Sequence, residues 1–169
     1  MNSRFAHILF VIILFLFQIV ISDYLNLGLF VYLCLIPLII LSLPLQQRTS
    51  FLMLEAFLAG MLLDMASDGV PGINASAAVL IAFLRKPLYK FIARKDRQDR
   101  TEFATQDSIG ISKYLALLTV MTALYLLVYN MVDCIGVRTM WFILLKTLCS
   151  TVTSTAVAFI LSRALSNKH

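Results

Sequence analysis

Six long apolar runs constrain this chain more than any other feature. Stretches without a charged residue cover positions 5–22, 27–45, 73–84 and 114–132, and another starts at Trp141 and continues past Lys146 to Ser162. The remaining run, 51–66, carries only Glu55 and Asp64. A hydrocarbon layer about 30 Å thick takes roughly 20 helical residues to cross. Most of the runs are long enough; 73–84 reaches across only by borrowing from its flanks. Hydrophobic residues make up 60% of the chain and charged ones 14%, against about a quarter charged in a soluble domain. A water-soluble fold is excluded on that balance.

The bases orient the runs. With six spans, Arg4, Arg48, Arg85, Lys86, Lys90, Arg94, Lys95, Arg97, Arg100, Lys113, Arg163 and Lys168 all fall on one side. The other side holds Asp23, Asp68, Asp133 and one base, Arg138, while Lys146 lies within the last run. Basic residues mark the cytoplasmic side of bacterial and other membrane proteins. The pattern predicts an all-α polytopic membrane protein with six transmembrane helices and both termini cytoplasmic. Residues 1–169 then form a single integral membrane domain, with a basic cytoplasmic connection at about 85–113. The net charge of +5 is read as topology and contact with membrane lipid, not as a nucleic-acid surface.

Local signals refine this. The first run is too long for a signal peptide, and Val20-Ile21-Ser22-Asp23 is not a small-x-small cleavage site. Pro37 and Pro44 are expected to kink or end the second helix. Pro87 is expected to open a new helix, with Leu88, Phe91 and Ile92 at helical spacing. Lys90, Arg94, Lys95, Arg97 and Arg100 make that segment a basic surface on the cytoplasmic leaflet. Cys34, Cys134 and Cys149 show no CxxC spacing, so neither a zinc site nor a disulfide framework is expected.

One stretch carries a motif: Gly60-Met61-Leu62-Leu63-Asp64, then Gly69-Val70-Pro71-Gly72-Ile73-Asn74-Ala75. Gly60 and Asp64, four apart, share a helix face. Gly60 and Ala56 allow another helix to approach closely, and Gly69, Pro71 and Gly72 favour a tight turn. A helical hairpin with an acidic, sharply turned tip is expected.

This segment resembles the MreD family of bacterial rod-shape-determining membrane proteins. The shared pattern is a glycine, three apolar residues, an aspartate, then glycines five and eight positions later, at Gly60, Asp64, Gly69 and Gly72. The resemblance implies a non-catalytic component of the peptidoglycan elongation complex in the bacterial inner membrane, with no cofactor. It implies an MreC-type bitopic partner and, through it, the actin-like filament protein. The polytopic glycosyltransferase and the class B penicillin-binding protein belong to the same assembly. It also implies a fold like the substrate-binding subunits (S-components) of vitamin transporters.

Other polar residues inside the runs need a reason, because intramembrane charge is costly. Lys146 shares a narrow stripe with Ser150 and Thr153, in an unusually small and polar stretch running to Ala156. Its depth is compatible with an Asp64–Lys146 pair, or with snorkelling to the interface. Ala56, Gly60, Ser150 and Thr153 mark two candidate helix-packing surfaces. Glu55 is nine residues from Asp64, on the opposite side of the helix, so the two form no acid–base dyad. Two rival functions remain. A vitamin-transporter subunit shares the size and span count, but its Ala-x-x-x-Ala signature is missing, since Phe10 lies four after Ala6. An intramembrane enzyme lacks any recognisable nucleophile or metalloprotease motif.

Overall fold

The computed structural model describes residues 3–24, 32–66, 70–93, 109–134 and 140–166. These form six helices: α1 Ser3–Tyr24, α2 Ile36–Ser42, α3 Thr49–Ala66, α4 Ile73–Ala93, α5 Ile111–Cys134 and α6 Met140–Ser166. The fold is all-helical. Three segments, Thr49–Ala66, Ile111–Asp133 and Met140–Arg163, are long and apolar enough to cross a membrane. Large apolar side chains stay exposed along them, including Leu54, Leu58 and Leu62 on α3 and Leu144, Leu148 and Val152 on α6. A water-soluble domain rarely tolerates so continuous an apolar surface; lipid accounts for it.

Helices α3, α4, α5 and α6 pack in sequence, each on the next, with the α3–α4 contact the most extensive. Helix α2 lies against α1, α4 and α5, and all seven of its residues are buried. The core is made of Leu and Ile from α2 with Leu52, Ala56 and Leu63 of α3, Ala77, Ala78, Ile81 and Ala82 of α4, and Leu117, Leu118 and Met121 of α5. The α3–α4 contact uses small residues on both sides, which lets backbones approach where lipid supplies no hydrophobic gradient.

Two expectations about helix boundaries are corrected. The second apolar run, 27–45, does not form one long helix in its described part: residues 32–35 are non-helical and only Ile36–Ser42 is α-helix. Pro37 lies in the first turn of that helix, where its missing N–H costs nothing, so it opens α2 and does not kink it. Pro44 follows the C-cap residue Leu43, which is extended, and ends it as expected.

The second correction concerns Pro87. It lies inside α4, which continues unbroken to Ala93. The expected new amphipathic helix is instead the end of this one. Leu88, Tyr89 and Ile92 pack against the core, and that packing carries the helix through a position that lacks one backbone donor. Lys90 and Phe91 are exposed on this extension. Arg94, Lys95, Arg97 and Arg100 lie outside the described residues, as does Gly69.

Candidate functional site

The motif residues meet at the tip of the α3–α4 hairpin. Gly72 ends the turn with φ +99°, a conformation that side chains disfavour, and its carbonyl accepts the first bond of α4, from Ser76 N–H at 2.9 Å. Gly72 is thus the N-cap, yet it has no side chain to satisfy the N–H groups that follow. Asp64 supplies the missing cap from α3. Its Oδ2 accepts from Gly72 N–H at 2.8 Å and Ala75 N–H at 3.2 Å. Its Oδ1 accepts from Asn74 N–H at 3.1 Å and Asn74 Nδ2 at 2.8 Å. The carboxylate is buried, and it sits at the positive end of the α4 dipole. Four donors and that dipole offset its desolvation.

Gly60 stands one turn before Asp64 for a steric reason. A Cβ there would overlap Ala75 Cα and lie 2.6 Å from Ala75 N and 2.9 Å from the Asn74 carbonyl carbon. The glycine lets α4 come close enough for the Asp64 carboxylate to reach its first turn. The packing surface expected at Ala56 and Gly60 is therefore an internal one, between α3 and α4.

The network continues inward. Asn74 Oδ1 accepts a hydrogen bond from the buried Tyr125 hydroxyl on α5. Tyr125 stacks on Tyr129 at 6.5 Å between ring centroids, and Tyr129 on Tyr32 at 4.5 Å. Tyr32 is the first described residue of the non-helical segment before α2. Backbone polar groups inside a membrane protein must be satisfied within it, and here side chains from two helices do this. From α6, Ser150 Oγ accepts from Tyr32 N–H at 2.9 Å, and Ser154 Oγ accepts from Cys34 N–H at 3.0 Å while donating to the Tyr32 carbonyl at 3.2 Å. From α1, the Gln18 amide donates to the Leu33 carbonyl at 3.3 Å and accepts from Leu35 N–H at 2.6 Å. The small polar stretch of α6 is thus largely used internally. Thr153 bonds back to the Cys149 and Ser150 carbonyls of its own helix.

Lys146 does not pair with Asp64. It forms an ion pair with Asp133 at 3.0 Å, and Asn130 Nδ2 donates to Thr147 Oγ1 at 3.0 Å beside it. Asp133 lies in the last turn of α5 and Lys146 in the second turn of α6, helices that pack on each other, which brings the two charges together. The Asp64 oxygens meanwhile face the start of α4.

Arg85 has a role that charge counting does not show. Its side chain is buried. Nη2 donates to the Leu41 carbonyl at 3.1 Å and to the Leu43 carbonyl, and Nη1 to the Pro44 carbonyl at 3.4 Å. These carbonyls lie at and just past the end of α2, outside its helical ladder; the Pro44 carbonyl also accepts from Gln47 N–H at 3.4 Å. Beside it, Lys86 Nζ donates to the Gln47 carbonyl at 2.7 Å. Replacing Arg85 by Met should lower stability by about 2 kcal/mol, since it orphans buried acceptors. Arg85→Lys should recover only part of this, because an ammonium cannot span three carbonyls as a planar fork does. Thermal unfolding of the purified protein in detergent checks this. If Lys restores the full melting temperature, Arg85 acts as a charge alone.

Compared with protein-family models, curated proteins and solved structures, the chain matches none.

Proposed function

We propose that this chain is a non-catalytic membrane component of the cell-wall elongation complex, an MreD-type protein that binds an MreC-type bitopic partner in the bacterial inner membrane. The observation that carries the reading is the occupancy of Asp64. The residue that most resembles the family pattern has both carboxylate oxygens engaged by the first turn of α4. That is the part of a scaffold element, and not of an acid or base poised toward a substrate. The proposal keeps six spans and cytoplasmic termini, on the strength of the basic asymmetry. In this proposal positions 32–42 belong to the second crossing, part non-helical and part helical. The glycosyltransferase and penicillin-binding protein of the same complex are the further partners this reading names.

A second reading has one observation in its favour. Unwound segments beside membrane helices line binding sites in many transporters, and residues 32–35 are non-helical immediately before α2. A substrate-binding subunit of a vitamin transporter is therefore retained as the alternative. Its backbone contacts to Gln18, Ser150 and Ser154 favour a structural role for the segment.

Co-expression with an MreC-type protein, followed by affinity purification in detergent and native mass spectrometry, separates the two. A stable complex with the bitopic protein and no retained small molecule is the expected result. A bound vitamin, or a complex with a transporter energising module, would establish the alternative. Reporter fusions after His169 and at Gly72 should report opposite sides of the membrane, cytoplasmic and periplasmic respectively. A periplasmic signal at His169 would overturn the threading.

A further inference from the structure

Three basic side chains lie where α3 begins and along the last turns of α4. Lys86 reaches the Gln47 carbonyl at 2.7 Å, which fixes its position beside the start of α3. Arg48 is the next residue in the chain and is exposed. Lys90, also exposed, lies one turn beyond Lys86 on the same face of α4, about 6 Å along its axis. Neither Arg48 nor Lys90 pairs with an acid among the described residues. The start of α3 adds to the field. Its first helical bond runs from Leu52 N–H to the Arg48 carbonyl at 3.1 Å, so the N–H groups of Thr49, Ser50 and Phe51 precede the ladder and point outward.

The corner is incomplete in a second respect. Arg85, 1% exposed, leaves Nε without an acceptor, and Gln47 Oε1 is likewise buried without a donor. Among the described residues, the acid at this corner is Glu55, whose carboxylate takes a hydrogen bond from Gln47 Nε2 at 2.7 Å, one carboxylate beside the bases Arg48, Arg85, Lys86 and Lys90.

Apolar surface lies on either side of the charge. Phe51, Leu54 and Leu58 form one exposed stripe on α3 running away from Arg48, and Phe91 follows Lys90 at 83% exposure. A free anion gains nothing from that surface. A molecule with a phosphate and attached hydrocarbon chains gains from both.

We propose that this corner binds the headgroup phosphate of an anionic phospholipid, held by Arg48, Lys86, Lys90 and the first turn of α3, with its acyl chains along the Phe51–Leu54–Leu58 stripe. The site uses no residue of the α3–α4 hairpin tip.

Delipidated protein in a neutral detergent, titrated with phosphatidylglycerol or phosphatidylcholine and followed by native mass spectrometry, tests this. The wild-type protein should retain phosphatidylglycerol in preference to phosphatidylcholine. The double variant Arg48→Gln, Lys90→Gln spares the Lys86 contact to the backbone. It should bind phosphatidylglycerol about 25-fold more weakly, roughly fivefold for each base removed, with phosphatidylcholine unaffected. Equal binding of phosphatidylglycerol by variant and wild type would overturn the proposal. So would a wild-type protein that shows no preference between the lipids, a result that does not depend on the variant folding. Displacement of phosphatidylglycerol by an equal concentration of inorganic phosphate would assign the site to a free anion and overturn the lipid reading.

Discussion

Asp64→Leu should destabilise the protein by on the order of 3 kcal/mol or more, enough to remove most of the folded material from the membrane. The substitution keeps the side chain's approximate volume but leaves the N–H groups of Gly72, Asn74 and Ala75 and the Asn74 amide without their acceptor. Each buried donor left unsatisfied costs about 1–3 kcal/mol, and the loss of an N-cap alone costs about 1. Asp64→Asn should be milder, at about 1–2 kcal/mol. It retains one acceptor oxygen but loses the charge that interacts with the α4 dipole. Membrane abundance and thermal unfolding in detergent give both values. Because Asn74 Oδ1 also takes the Tyr125 hydroxyl, a loss of packing at Tyr125 should accompany the Leu variant. A Leu variant that accumulates and melts like wild type would leave Asp64 without a structural role.

The hairpin was legible in sequence because its determinants are local. Gly60, Asp64 and Gly72 lie within thirteen residues, and each belongs to a type with few other reasons to occur there. A glycine in an apolar helix suggests backbone contact, an aspartate at its end suggests a paired or capped charge, and a Pro-Gly turn suggests where the chain reverses. What could not be read was the direction of the carboxylate. Depth alone allowed Asp64 to meet Lys146. The preference of Lys146 for Asp133 follows from the packing of α6 on α5, which brings the start of one helix to the end of the other. By charge position alone Asp133 is simply an outer-side acid.

The second apolar run shows a different limit. Residues 27–45 are apolar throughout apart from Ser42, so neither a 3.6-residue nor a two-residue period is present to distinguish helix from extended chain. The break at residues 32–35 is held by Ser150 and Ser154, more than a hundred positions away, and no local propensity reports that. Two signals did exist. Gln18 is the one carboxamide in the first run, and a buried amide with both a donor and an acceptor suits an unladdered backbone. Pro37 is better suited to a first helical turn than to a helix interior. Arg85 was hidden for a further reason: a base at a membrane boundary already has an explanation in topology, and nothing in its neighbours reveals that α2 ends against it.

Gly60→Leu should abolish the folded hairpin, and with it the recoverable monomer. A Cβ at this position already falls within 3 Å of Ala75 N and of the Asn74 carbonyl carbon. Those are backbone atoms at the start of α4, in the turn that Asp64 caps, so they cannot move aside as a flexible side chain would. Separating the helices to admit Leu would also pull the Asp64 carboxylate away from its four donors. The steric and electrostatic losses therefore arise together, and Gly60→Ala should already show a large part of the effect. Thr153→Leu is the contrasting case. Thr153 is half-buried, and its hydroxyl bonds only within α6. Its replacement should cost less than about 1 kcal/mol of stability and leave the monomer recoverable. Size-exclusion of the two variants in detergent, with yield normalised to expression, measures the difference. If the Gly60→Leu monomer is recovered intact while partner binding is lost, the glycine faces outward to a foreign helix and the close α3–α4 approach is wrong.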